Sequence, residues 1–217
     1  MNYQFFNMQK TEKTTASRYA NQRMHYSEEV IFPILDEALF CIVSYSLNNE
    51  PYSIPTAFVR EGSKLYIHGS VGSHFLRQLT PGTPVCITVM LADSLIVAKS
   101  AFHHSVNYRS VIIFSKSEVI DDYNLKAEFF KKLTEKMVPG SWDYLRPMKA
   151  SEVNKTMLIA FEIKEASAKI RNAPPSDDEE DVNLPIWSGL IPISPKRMTP
   201  IPDESSVNIP LPDHLKS

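Results

Sequence analysis

Short apolar runs separated by turn residues dominate the first 172 positions of the chain. Ser27, Glu28 and Glu29 offer a hydroxyl cap and first-turn acids, and Ile31, Leu35 and Ala38 follow at helical spacing, which predicts a helix. LFCIVSYSL (39–47), YSIPTAFVR (52–60) and KLYIHGS (64–70) read as strands joined by NNEP and EGS turns. Pro55 predicts an edge position, a bulge or a place where the backbone faces something other than a strand. A short helix is expected from Ser73 to Leu79, closed by TPGTP. VCITVML (85–91) and SLIVAKSAF (94–102) read as two strands separated by Ala92 and Asp93, and NYRSVIIFSKSEVI (107–120) as one long strand. Phe129, Leu133 and Met137, spaced by four with Phe130 alongside, mark an amphipathic helix over 123–140. TMLIAFEI (156–163) is a late strand and ASAKIRN (166–172) a further one. Parallel strands each need a long crossover, so six or seven strands on tight turns predict a mostly antiparallel β fold. The expected architecture is that sheet closing into a barrel, with a few peripheral helices.

A chain of 217 residues supports one full core. The organisation expected is an irregular arm over 1–26, a barrel domain over 27–175, and an acidic loop with a proline-rich tail over 176–217. Nine of the sixteen prolines fall from Pro174 onward, too many for a second regular core, so the tail is expected to wrap the barrel or a partner subunit. A net charge of -2 gives no electrostatic reason to expect nucleic acid. No apolar run reaches the roughly 18 residues of a membrane span. The opening residues show no secretory pattern, and Cys41 and Cys86 lie singly in apolar runs, so a reducing, cytoplasmic compartment is expected.

Two polar clusters interrupt this pattern. In LYIHGSVGSHFLRQL (65–79), Gly69 and Gly72 flank small hydroxyls and Ser73 precedes a helix, a seat for phosphate or simply an N-cap. Neither a P-loop nor a dinucleotide fingerprint is present. In AFHHSVNYRS (101–110), adjacent His103 and His104 would face opposite sides of a strand, a poor chelating pair, and no metal site is expected. Arg109 carries a planar fork of donors suited to phosphate, and Asn107 and Tyr108 can bond polar ring edges. With Ile54 and Pro55 as an apolar edge and Trp187 as a stacking surface, the set suits a phosphorylated planar heterocycle. No covalent nucleophile with a nearby base stands out.

Taken in order, ILDEALFCIVSYSLNNEPYSIPTAFV, KLYIHGSVGSHFLRQL, AFHHSVNYRSVIIFSKSEVI, MVPGSWDYLRP and AKIRNAPPSDDEEDVNLPIWSGLIP resemble the pyridoxamine 5'-phosphate oxidase-like superfamily with its FMN-binding split barrel. The resemblance spans about Arg18 to Gly189 and is strongest to the flavin-nucleotide-binding, nitroimidazole-resistance-related branch. It implies a homodimer with FMN in clefts at the subunit interface. It implies that His68, Ser70, Ser73 and His74 meet the ribityl phosphate end, and that Asn107, Tyr108, Arg109 and Ser110 line the flavin with Arg109 at the phosphate. Pro55 and Thr56 would lie near the isoalloxazine, Trp187 would come from the late segment, and His68 matches a position with a catalytic role. The implied activity is flavin-mediated oxidoreduction of an unassigned small molecule, with NADH or NADPH as donor. A non-catalytic flavin carrier, or a haem-binding variant, is the alternative. KLYIHGS stands where true pyridoxamine phosphate oxidases have a basic strand, and SPKRMTP lacks the pattern of their ending, which argues against vitamin B6 oxidation.

Overall fold

The computed structural model describes residues 6–17 and 20–216. The elements run α1 (Ala20–Arg23), β1 (Met24–His25), α2 (Glu28–Glu37), β2 (Phe40–Leu47), β3 (Glu50–Glu61), β4 (Lys64–Ser70) and α3 (His74–Gln78). They continue through β5 (Pro84–Val97), β6 (Ser105–Ile120), α4 (Tyr123–Met137), α5 (Ala150–Asn154), β7 (Thr156–Glu162), β8 (Glu165–Arg171) and β9 (Gly189–Pro192).

Each pairing is antiparallel, and six strands follow one another round a ring: β6, β7, β4, β3, β2, β5 and back to β6. β8 and β1 extend the sheet from β6, and β9 lies on β5. The β2–β3 turn is Asn48–Asn49 with φ of 53° and 66°, the left-handed pair that twists with a two-residue hairpin and that asparagine tolerates. Alternation along the strands sends Val43, Phe58, Ile67, Ile87, Val111 and Ile113 inward, where Ile31 and Leu35 of α2 join them. Each such large side chain stabilises the fold by about 1.5–3 kcal/mol when fully buried. On the opposite side of the sheet, Phe129 and Leu133 of α4 cover Val59 and Leu158.

Several elements differ from the reading of the sequence. The two strands expected on either side of Ala92 and Asp93 are one, β5, whose register against β6 shifts between Ala92 and Ser94. A bulge interrupts the ladder without ending the strand. Of the irregular arm expected over 1–26, residues 1–5, 18 and 19 lie outside the described residues; 20–25 form α1 and β1, the latter paired with Lys169 and Ala168 of β8. In the proline-rich tail, β9 pairs with Ser94–Val97, a strand too short to show periodicity in sequence. Pro55 occupies the half of β3 bordered by β2 alone, which fits its expected edge character. Cys41 is buried, and burial pushes its thiol up to about 12, so it behaves as core rather than as a nucleophile. Among the described residues no helix is long and apolar enough to cross a membrane.

Candidate functional site

The β3–β4 ladder runs from Glu61–Lys64 to Phe58–Ile67 and stops. Beyond it β3 continues along β2 and β4 continues along β7 as far as Ser70. Pro55 and Thr56 on one strand and His68, Gly69 and Ser70 on the other therefore border an opening whose facing edges carry no ladder hydrogen bonds.

The turn after β4 is held by its own polar atoms. Gly72 N donates to Ser70 Oγ at 3.1 Å, Ser73 N to Ser70 O at 2.9 Å, and Leu76 N to Ser73 Oγ at 3.4 Å, which caps α3. Gly69 lets α3 approach β4: a Cβ there would lie 2.6 Å from Leu76 Cδ1. His74 and Arg77, three apart on α3, are exposed, and neither forms an ion pair among the described residues.

His68 points away from the ring interior, onto α4. Its ring centroid lies 5.5 Å from that of Phe129 and 5.7 Å from that of Phe130, and its buried Nδ1 has no hydrogen-bond partner. Burial holds its pKa below the ordinary histidine value, so the imidazole is neutral at pH 7. Phe130 also lines a cleft of about 560 Å³ between α4 and the 142–148 segment, together with Tyr123, Trp142, Arg146 and Met148.

Strand alternation divides the four candidates on β6. Asn107 and Arg109 lie on the side of buried Val111 and Ile113, whereas Tyr108 and Ser110 lie on the side of exposed Ile112. Asn107 is 2% exposed; its Nδ2 donates to Ser94 Oγ at 3.0 Å and Ala173 O at 2.9 Å, and its Oδ1 accepts from Ala173 N at 3.0 Å. Arg109 donates to Asp93 at 2.7–3.1 Å and to Glu37 at 2.5 and 2.9 Å. These bonds to Glu37 and Asp93 raise the pKa of Arg109, and in turn the Arg109 guanidinium holds the Glu37 carboxyl below its usual range. A guanidinium so engaged braces the end of α2 against the β5 bulge, and a phosphate could reach it only by displacing a carboxylate. Trp187, 65% exposed, folds over Gly189 at the start of β9, at the end of the sheet where Ser94 pairs with Asn107.

The residues named from sequence thus form two groups, Pro55, Thr56, His68, Ser70, Ser73 and His74 at the parted strands and Asn107–Ser110 beside the β5 bulge, while Trp187 lies apart, before Gly189 opposite Val97. Between them runs the exterior sheet face, on which Pro55, Ile42, Thr88 and Ile112 are successive cross-strand neighbours. Three strand spacings separate the margins by roughly 14 Å. Arg77 escaped the sequence reading although its spacing from His74 on a helix capped by Ser73 was readable; Glu37 and Asp93, far apart in sequence from Arg109, gave no signal. Among the described residues no group of three or more His, Cys, Asp or Glu side chains is placed to hold a metal ion.

Residues 27–170 match the family model described as pyridoxamine 5'-phosphate oxidase. The flavocytochrome Anf3 from Azotobacter vinelandii is 36% identical over 94% of this chain and 95% of its own, with a TM-score of 0.85. A protein from Mycobacterium smegmatis described as binding FAD and haem is 31% identical over 89% and 95%, with a TM-score of 0.83. A structure from Bacteroides thetaiotaomicron, named for 5-nitroimidazole antibiotic resistance, shares the fold at 20% identity over 66% and 83%, with a TM-score of 0.54. No curated protein matches the chain in sequence. A family match over 27–170 and two relatives alike along nearly their whole length agree with the ring of strands and its parted pair: the chain belongs to the pyridoxamine 5'-phosphate oxidase-like, FMN-binding split-barrel superfamily.

Proposed function

We propose that the protein is a flavin-dependent oxidoreductase acting on a small molecule, with the ring of strands closed as a split barrel and the cofactor seated where β3 and β4 part. The carrying observation is that opening with the Ser70–Ser73 turn at its margin and, on α3, His74 and the guanidinium of Arg77, neither of them paired with a carboxylate among the described residues. Small hydroxyls and a guanidinium are donors of the kind a phosphate needs. When bound, FMN supplies the hydride or electron transfer between NADH or NADPH and the acceptor. The chain's part is placement. Ser70, Ser73, His74 and Arg77 hold the phosphate; Pro55 and Ile42 give the ring an apolar edge and keep water from it; Tyr108 and Ser110 face the same exterior side. Pro55 and His68 lie at one margin of that face and Tyr108 and Ser110 at the other, so a second copy laid across it would complete each cleft. His68 keeps a neutral imidazole whose Nδ1 is free to hold or pass a proton.

A second cofactor is favoured by a specific observation. Both full-length relatives are described as haem proteins as well as flavin proteins, one of them through FAD. His68 is the side-chain type that ligates a haem iron, a neutral imidazole set among aromatic rings. His68→Ala separates the roles. Lost turnover of NADH with flavin and any Soret band retained assigns His68 to proton handling. Loss of a Soret band with flavin retained assigns it to haem. A flavin that NADH and NADPH leave oxidised in the unaltered protein favours a carrier over an enzyme.

A further inference from the structure

The tail ends in a loop whose apolar side chains are not buried by its own chain. It is tethered at both ends: Ile193 N donates to Asp93 O at 2.9 Å and Arg197 to Met137 O at 2.7 Å, and the rings of His214 and Tyr144 meet at 5.4 Å. Between these tethers Met198 is 80% exposed, Ile201 93%, Val207 65% and Ile209 56%. Residues 198–212 contain only two charges, Asp203 and Glu204. Six prolines between 192 and 212 remove backbone donors and turns over 204–208 fold the segment back, so sheet pairing does not explain it. The loop encloses a cavity of about 550 Å³ lined by Ile201, Val207, Ile209 and Leu211, with no side chain of the barrel core in it.

A second unpartnered apolar surface lies on the same chain. On the exterior sheet face Phe40 is 62% exposed, Ile42 44%, Met90 67% and Ile112 38%. The tail leaves the sheet at the edge of this face, beside Asp93, and its apolar loop begins where Arg197 meets the C-terminal end of α4. Four arm side chains so exposed present on the order of 500 Å² of apolar surface, as large as the largest patch a monomer ordinarily shows. Two arms, with the surfaces they cover, approach the roughly 1,600 Å² of a stable interface. A two-fold pair supplies both surfaces to both copies, which a foreign partner would not.

We propose that residues 198–212 form an arm that docks on a second copy of this chain, on the part of its exterior face that carries Phe40 and Met90 beyond the flavin edge at Ile42, reciprocally. This rests on the homodimer reading above and specifies what locks the pair. In this arrangement the tail closes the outer side of the cleft that the two copies share.

The test uses the full chain with p-benzoylphenylalanine in place of Ile201, prepared as a mixture of ¹⁴N- and ¹⁵N-labelled protein. After illumination, cross-linked peptides are mapped by mass, and sedimentation gives the dimer affinity of the unmodified chain and of Ile201→Asp. The expected result is a mixed-isotope cross-link from position 201 to the peptides carrying Phe40 or Met90, with dimer affinity weakened at least tenfold by Ile201→Asp. A dimer whose cross-links all lie within one isotope, or whose affinity Ile201→Asp leaves unchanged, overturns the arm and leaves the dimer. A chain monomeric at all concentrations overturns both.

Discussion

Arg109 and Arg77 separate a structural guanidinium from one free for a ligand. The first spends its donors on Glu37 and Asp93, bonds that an approaching phosphate would have to break; the second stands exposed one turn beyond Ser73. Arg77→Ala is therefore expected to weaken flavin binding about tenfold, the value of one charged hydrogen bond, as read by fluorescence titration. Arg109→Ala is expected to lower thermal stability instead, with affinity of the folded protein changed far less. It should also flatten the acid limb. The depressed Glu37 carboxyl contributes stability that is complete above about pH 4.5, its unfolded value, and is lost as pH falls through its lower folded value. Without Arg109, urea midpoints between pH 5 and 3 should fall less steeply. Lys136 gives a slope of the same sign in an alkaline window. Its Nζ sits 3.9 Å from the Phe58 ring centroid and donates to Leu35 O at 3.1 Å, and burial lowers its pKa to about 8 from 10.5. Between those values the unfolded chain binds the proton and the folded chain does not, so stability should rise from pH 8 toward 10.5. Lys136→Met should abolish that rise in the same urea series.

At the scale of elements, the placement of the site depends on one glycine and on strand parity. Gly69→Ala puts a methyl against buried Leu76, so α3 and the Ser70–Ser73 turn must shift. The expected cost is about 1–3 kcal/mol of stability, and flavin affinity should fall with it, which calorimetry of the free and loaded protein would show. Much of this level was legible. Ser27, which takes the N-cap position although its hydroxyl makes no cap bond, the Asn48–Asn49 turn and the spacing of Phe129 and Leu133 each announced their element, because cap residues, left-handed turns and amphipathic stripes are local signals. The fused β5 was not legible, since a bulge at Asp93 resembles a turn until a neighbouring strand passes straight through it. Nor was the division of Asn107–Ser110. Alternation implies that neighbours face opposite sides, but only the burial of Val111 and Ile113 shows which side is inside.

For the whole molecule, the ring of six strands was readable from tight turns, whereas the place where the ring parts was not. That depends on β3 staying with β2 and β4 staying with β7 after their own ladder ends. Likewise His68 and Ser110 were read as one site, yet in one chain they lie at opposite margins of an exterior face, and a second copy is what would join them. The family and the two full-length relatives point above all to a bound flavin. Its most direct test is the absorption spectrum of the purified protein, before and after addition of FMN and FAD, with the released ligand identified by mass. The expected result is oxidised-flavin bands at one flavin per chain, diminished in Arg77→Ala; a Soret band beside them would add haem. A protein that neither retains nor takes up a flavin would contradict the account, leaving the fold without the function proposed for it.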